Sequence, residues 1–130
     1  MIQKGLNHTS TETVTTNNTA IALGSGDLAV YATPAMAALM ENAAMLAVAD
    51  SLPEGQTTVG GLISITHLKP SPIGAEVAAT AVLEKAEGRK LTFSVMAEDG
   101  DTLVGEGGHV RFIVEREKFM QKVGQKGTGK

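Results

Sequence analysis

The longest stretch of uniform character runs through residues 34–49, PAMAALMENAAMLAVA, where only Glu41 and Asn42 are polar. Nearly every face of such a helix is apolar, so the pattern predicts a helix enclosed in a core. Thr33-Pro34 marks its start: a threonine can cap free N–H groups, and proline is pre-set for the first helical turn. Ser51-Leu52-Pro53-Glu54-Gly55 ends it near Asp50.

The rest of the chain reads as strands. Residues 9–16 (TSTETVTT) form a polar, β-branched, edge-like strand, followed by a turn at Asn17-Asn18. Residues 20–23 are expected to be a short extended piece, broken by Gly24-Ser25-Gly26-Asp27. Strands are predicted over residues 57–68, 76–84, 91–98 and 102–114, with turns at Lys69-Pro70-Ser71-Pro72-Ile73-Gly74, Ala86-Glu87-Gly88-Arg89 and Asp99-Gly100-Asp101. Leu91, Phe93, Val95 and Ala97 alternate onto one face. Gly105, Gly107 and Gly108 in the last strand favour a bend where a sheet curves. A short helix over residues 115–123 and a disordered tail (GQKGTGK) are expected to follow.

The fold class is therefore α+β: one long buried helix wrapped by a curved antiparallel sheet of about five to six strands. The chain is expected to form one domain over residues 1–130, with residues 1–5 and 124–130 flexible. A helix apolar all round needs cover on the side the sheet leaves open, and a partner subunit supplies it.

Composition narrows the function. The 130 residues are 42% hydrophobic and 19% charged, with net charge −3 and no broad basic stripe, which argues against a nucleic-acid partner. Aromatics at 3% leave no stacking platform for bases. The absence of cysteine removes disulfides, thiolate nucleophiles and zinc–thiolate sites together. With no secretory leader and no apolar run long enough to span a bilayer, a cytoplasmic protein is expected.

A glutamate inside an apolar helix must find a partner or shift its pKa, which makes Glu41 a functional-site candidate. In Leu62–His67 (LISITH) the positions Ile63, Ile65 and His67 share one strand face, which turns His67 toward the helix. Thr33 lies eight residues before Glu41, about 2.2 turns and about 12 Å, on roughly the same helix side. Substrate or ordered water would lie between them. A hydroxyl, a carboxylate and an imidazole around one apolar cavity define a candidate acyl-transfer site. The carboxylate is then nucleophile or general base, and the imidazole moves the proton. Read structurally instead, Thr33 is a plain helix cap, Glu41 is paired with an arginine, and His67 is a satisfied core histidine. His8 and His109 read as surface or wall residues, and no metal motif is present. Lys69, Arg89, Lys90 and Arg111 are surface charges that could also meet a phosphorylated ligand. Met36, Met40 and Met45 are core filler first and acyl-chain lining second.

The chain resembles hotdog-fold thioesterases, and within them the fluoroacetyl-CoA thioesterase group. The resemblance rests on Thr33 ahead of the helix, Leu39-Met40-Glu41, Gly60 followed by Thr66-His67, Pro72-Ile73-Gly74, Glu87-Gly88-Arg89, Asp99-Gly100, the Gly105–His109 run and Glu117-Lys118-Phe119. It covers about the last 100 residues. It implies Thr33, Glu41 and His67 as catalytic residues. It also implies a substrate contact at Gly60, hydrolysis of a small or medium acyl-CoA to acid and CoA, and no cofactor beyond the CoA of the substrate; Gly61, Met36, Arg89 and His109 are added as candidate substrate-binding residues. A homodimer with interface sites, with a dimer of dimers as the larger option, is the implied assembly. The group's aromatic gating residues are not matched: Ala32, Ala35, Met36 and Ala37 surround Thr33. That implies a pocket tolerant of other acyl groups. A non-catalytic acyl-CoA or small-acid binding protein is the alternative. A hotdog hydratase lacks its Asp-x-x-x-x-His motif here.

Overall fold

The computed structural model describes residues 2–128. In chain order it contains β1 (Asn7–Thr13), α1 (Ala20–Leu23), α2 (Thr33–Ala49), β2 (Gln56–His67), β3 (Glu76–Glu87), β4 (Lys90–Asp99), β5 (Thr102–Glu115) and α3 (Arg116–Thr128). The five strands form one antiparallel sheet in the order β1-β3-β4-β5-β2, so β1 and β2 are its edges. The polar β1 is an edge strand as its composition predicts, with Thr9 and Thr80 joined hydroxyl to hydroxyl across the ladder at 2.8 Å.

Helix α2 lies across one face of the sheet, chiefly over β1 and β3. Met36, Met40, Ala43, Ala44 and Val48 are completely buried against Val77, Ala79, Ala81, Leu83, Leu91, Phe93 and Ala97. Each large side chain enclosed in this way contributes roughly 1.5–3 kcal/mol. The small residues of β3 let the helix approach closely, which is how a core with few aromatics stays filled.

Several expectations are corrected. Residues 20–23 are not extended but form one helical turn, because the Thr19 hydroxyl accepts from Ala22 N–H and nucleates it. Thr33 does not cap α2: Ala32 occupies the cap position without a side-chain bond, and the Thr33 hydroxyl is directed elsewhere. The helix is not buried all round in the single chain, since Ala38, Asn42, Leu46 and Ala49 are exposed along one stripe. Residues near the start are tied down: Gly5 N–H donates to Leu83 O, and Ile2 and Leu6 pack on the core. The terminal helix continues to Thr128, through most of the segment expected to be disordered, and residues 129–130 lie outside the described part. No helix of the described residues is long and apolar enough to cross a membrane.

One irregularity positions the site. In β2 the side chains of Ile63, Ile65 and His67 face the helix, as their alternation predicts. Simple alternation then puts Thr58 and Gly60 on the opposite face. Instead the register shifts between Gly60 and Leu62, and the bulge returns Thr58 and Gly60 to the helix side. Gly61 absorbs the extra residue: a methyl group there would collide with the Phe112 ring on the outer face.

Candidate active site

Two groups of polar side chains stand at opposite ends of β2. The first joins the last residue of β2 to the first residue of α2. The Thr33 hydroxyl and His67 Nδ1 are hydrogen-bonded at 2.8 Å. Thr33 is exposed, and His67 is half-buried with Nε2 enclosed and without a hydrogen-bond partner among the described residues. Desolvation lowers the His67 pKa, which keeps its imidazole neutral at pH 7. Tyr31 meets it edge-on, with ring centroids 6.4 Å apart. The Tyr31 hydroxyl donates to Glu12, and its backbone N–H donates to Ser71 O at 2.9 Å. Burial, followed by the Glu12 carboxylate, raises the Tyr31 pKa, so the phenol stays protonated. These contacts hold Tyr31 in place and thereby hold the imidazole. Thr33 and His67 border a cavity of about 280 Å³ with walls from Ala20, Val30, Tyr31 and Leu68.

The second group gathers around Gly60. A methyl group at Gly60 would lie 3.5 Å from both Arg111 Nη1 and His109 Cε1, and 3.8 Å from Glu41 Oε2. Arg111 is buried. Its Nε donates to the Thr58 hydroxyl at 2.8 Å and its Nη2 to Thr58 O at 2.9 Å. Its Nη1 donates to His109 Nε2 at 3.2 Å, so that nitrogen is the acceptor, and His109 Nδ1 donates to Leu62 O at 2.7 Å. His109 is thereby fixed as a neutral imidazole. Burial is the main reason its pKa is lowered; the bond to Leu62 O opposes it, the Arg111 charge acts with it, and Glu41 opposes. Burial also lowers the Arg111 pKa while the Glu41 carboxylate opposes it. Glu41 itself is half-buried rather than enclosed.

The structure therefore brings Thr33 and His67 together and leaves Glu41 in the other group, with no hydrogen bond or ion pair to either among the described residues. Gly60 and His67 pair with Arg111 and Gly105 of β5, six positions apart, which is about 20 Å at strand rise. Of the other candidates, Gly60 and His109 belong with Glu41. Gly61 faces away under Phe112. Met36 is completely buried with its thioether against Gly105, so in this chain it packs the core instead of lining the cavity. Arg89 stands at the β3–β4 turn, exposed and away from both groups. Arg111 is the residue sequence reading undervalued, and its shared strand parity with His109 was the available signal. A larger groove of about 520 Å³, with Ser64, Thr66, Thr80 and Ser94 in its wall, opens on the other face of the sheet and holds none of these groups. No cluster of metal-ligating side chains occurs among the described residues.

A curved five-stranded antiparallel sheet over one long helix defines the hotdog fold. Solved structures agree over nearly the whole chain. The fluoroacetyl-CoA thioesterase FlK superposes with TM-score 0.90 at 35% identity, covering 97% of this chain and 98% of that one. A point mutant of FlK in complex with fluoroacetate and CoA gives 0.85 at 34% identity, covering 91% and 99%. A Thermus thermophilus thioesterase superfamily member gives 0.88 at 25% identity, covering 100% and 98%. The fluoroacetyl-CoA thioesterase of Streptantibioticus cattleyicolor is 42% identical over 97 residues, 75% of this chain and 70% of that protein. Residues 14–117 match the family described as fluoroacetyl-CoA-specific thioesterase, and the chain belongs to that family.

Proposed function

We propose that this protein hydrolyses a short acyl-CoA thioester to the free acid and CoA, with Thr33 and His67 at the reacting centre. The observation that carries this reading is the 2.8 Å bond between the Thr33 hydroxyl and His67 Nδ1 beside a small cavity whose walls combine Ala20, Val30 and Leu68 with Ser25 and Lys69. A neutral imidazole accepts the hydroxyl proton as Thr33 Oγ attacks the thioester carbonyl, and returns it to the departing CoA sulfur. Water then attacks the acyl-threonine with the same imidazole as base, releasing the acid. With Nδ1 as acceptor, Nε2 carries the hydrogen, and that enclosed nitrogen needs an acceptor which the described residues do not provide. CoA enters only as part of the substrate, and the reaction draws on no other cofactor.

The acceptor side is supplied by a homodimer. Strand β2 is a free sheet edge, with Gly60, Gly61, Leu62, Ser64 and Thr66 exposed. Two copies pairing these edges antiparallel about a two-fold between Ile63 and Ser64 would set Gly60 of one opposite His67 of the other. That brings Glu41, His109 and Arg111 of one subunit toward Thr33 and His67 of its partner. In this arrangement Glu41 acts as a carboxylate that orients His67 or activates the hydrolytic water. Ala20, Val30 and Leu68 leave room for a small acyl group without aromatic gates. A cytoplasmic setting goes with a free acyl-CoA substrate.

The direct test is thiol release from acetyl-, propionyl-, malonyl-, benzoyl- and longer acyl-CoAs. The chain contributes no thiol background because it has no cysteine. Turnover that vanishes in Thr33→Ala and His67→Ala supports the reading. Silence across the panel with tight acyl-CoA binding would replace it with a binding protein.

A further inference from the structure

The chain is acidic as a whole, yet residues 116–130 hold five of its eleven cations and only one of its fourteen acids. Helix α3, Arg116–Thr128, lies against β5 at the end of the sheet. Lys118 and Lys122, one turn apart, share a helix face with Gln121. Opposite them stands Arg89 from the β3–β4 turn, and between them lies a groove of about 490 Å³ whose floor includes half-buried Phe119 and Val114. Arg89, Lys118 and Lys122 have no carboxylate in ion-pair range among the described residues. The one acid in the wall, Glu115, accepts a hydrogen bond from Gln56 at 2.9 Å. Three uncompensated cations around an aromatic ring suit a ligand that carries several phosphates on a flat heterocycle.

The position relative to the active site fixes which ligand. Gly60 pairs with Arg111, and Gln56 pairs with Glu115, four residues further along the same two strands. The groove therefore begins about 13 Å from the Glu41–Arg111 group, along a continuous sheet end. A substrate with its thioester beside that group and a long flexible arm would set its far end here. We propose that the groove formed by Arg89, Lys118, Phe119 and Lys122 binds the 3′-phosphoadenosine diphosphate end of the acyl-CoA. This rests on the acyl-CoA reading above and extends it to the nucleotide handle. In an otherwise acidic molecule the groove also draws the polyanion toward the site.

The charge-reversed variant Lys118→Glu/Lys122→Glu tests it, because both side chains are exposed and neither supports the core. KM for acyl-CoA should rise about tenfold or more, as expected when charge-assisted phosphate contacts become repulsive, with kcat unchanged. Hydrolysis of the same acyl group on pantetheine, which lacks the nucleotide, should be unaffected. Equal effects on both substrates, or on neither, would overturn the proposal. Calorimetry with adenosine 3′,5′-bisphosphate separates this from the activity itself. Binding to the wild-type protein that is lost in the variant supports the groove even where no thioester is cleaved. No binding to the wild-type protein refutes it, as does binding to anionic lipid vesicles in place of the nucleotide.

Discussion

Thr33 Oγ and His67 Nδ1 stand 2.8 Å apart although 34 positions separate them in the chain. One opens the central helix and the other closes an edge strand. The pair exists because the segment before α2 is anchored from several directions. Tyr31 N–H donates to Ser71 O, Ala32 N–H donates to Asn18 O at 3.0 Å, and Val30 bridges to Pro72. Removing either partner should lower kcat/KM by about 10²–10⁴, the usual contribution of a positioned proton-transfer group. Thr33→Ser keeps the hydroxyl and should retain more activity than Thr33→Ala. Steady-state kinetics on the three variants decides this, and full activity in Thr33→Ala would remove the threonine from the mechanism.

Glu41 sits with Gly60, His109 and Arg111, not with His67, and this leads to a complementation test. Glu41→Gln and His67→Ala homodimers should each be nearly inactive. Mixed after unfolding and refolding, half the dimers carry both chains, and one of their two sites regains every native group. Activity should return to about a quarter of the wild-type value. A mixture no more active than its components would place the whole site within one chain.

The direction of the His67 shift sets the pH response. Burial lowers its pKa below the ordinary value of 6.5, so the folded protein releases a proton that the unfolded chain still holds. Stability contributed by the neutral imidazole is therefore present above pH 6.5 and declines as pH falls from 6.5 toward the lowered folded value. His109 shifts the same way and adds to the loss. The acid limb of kcat/KM should accordingly fall below pH 6.5. Thermal melts and rate profiles from pH 5 to 8 check both, and an acid limb above 6.5 would contradict the neutral buried imidazole.

Tyr31→Phe removes the hydroxyl that donates to Glu12 and leaves a partly buried carboxylate without that donor. Denaturant melts should show a loss of about 1–3 kcal/mol. The ring still meets His67 edge-on, so kcat should change less than stability.

Gly107→Ala tests the tight β2–β5 ladder. A methyl group there would strike the Ser64 carbonyl and the Ile65 backbone, neither of which can rotate away. The substitution should cost about 1–3 kcal/mol or more and should weaken β2, the strand that carries His67. Gly108→Ala meets only ordinary contact with Phe93 O and should be the milder of the two.

The sequence by itself determined the elements whose cause is local. A sixteen-residue apolar run can only be a packed helix, β-branched alternation makes strands, and Asp-Gly and Gly-Arg pairs mark the hairpins, so the α+β order was legible. The inward aim of His67 was legible too, since strand parity from Ile63 carries it. Helix spacing suggested that Thr33 and Glu41 work on one substrate, but spacing says nothing about what each side chain meets. Only the tertiary structure decided that Thr33 turns to His67 instead of capping its helix, because that depends on where the end of β2 falls. Only the bulge at Gly60–Leu62, visible once β2 is laid against β5, moves Thr58 and Gly60 inward, so that the bond to Thr58 and the group around Gly60 form on the helix side. Residue type and period fix what a segment becomes. Which segments meet is fixed by strand order and register, and those follow from burying the whole apolar surface at once.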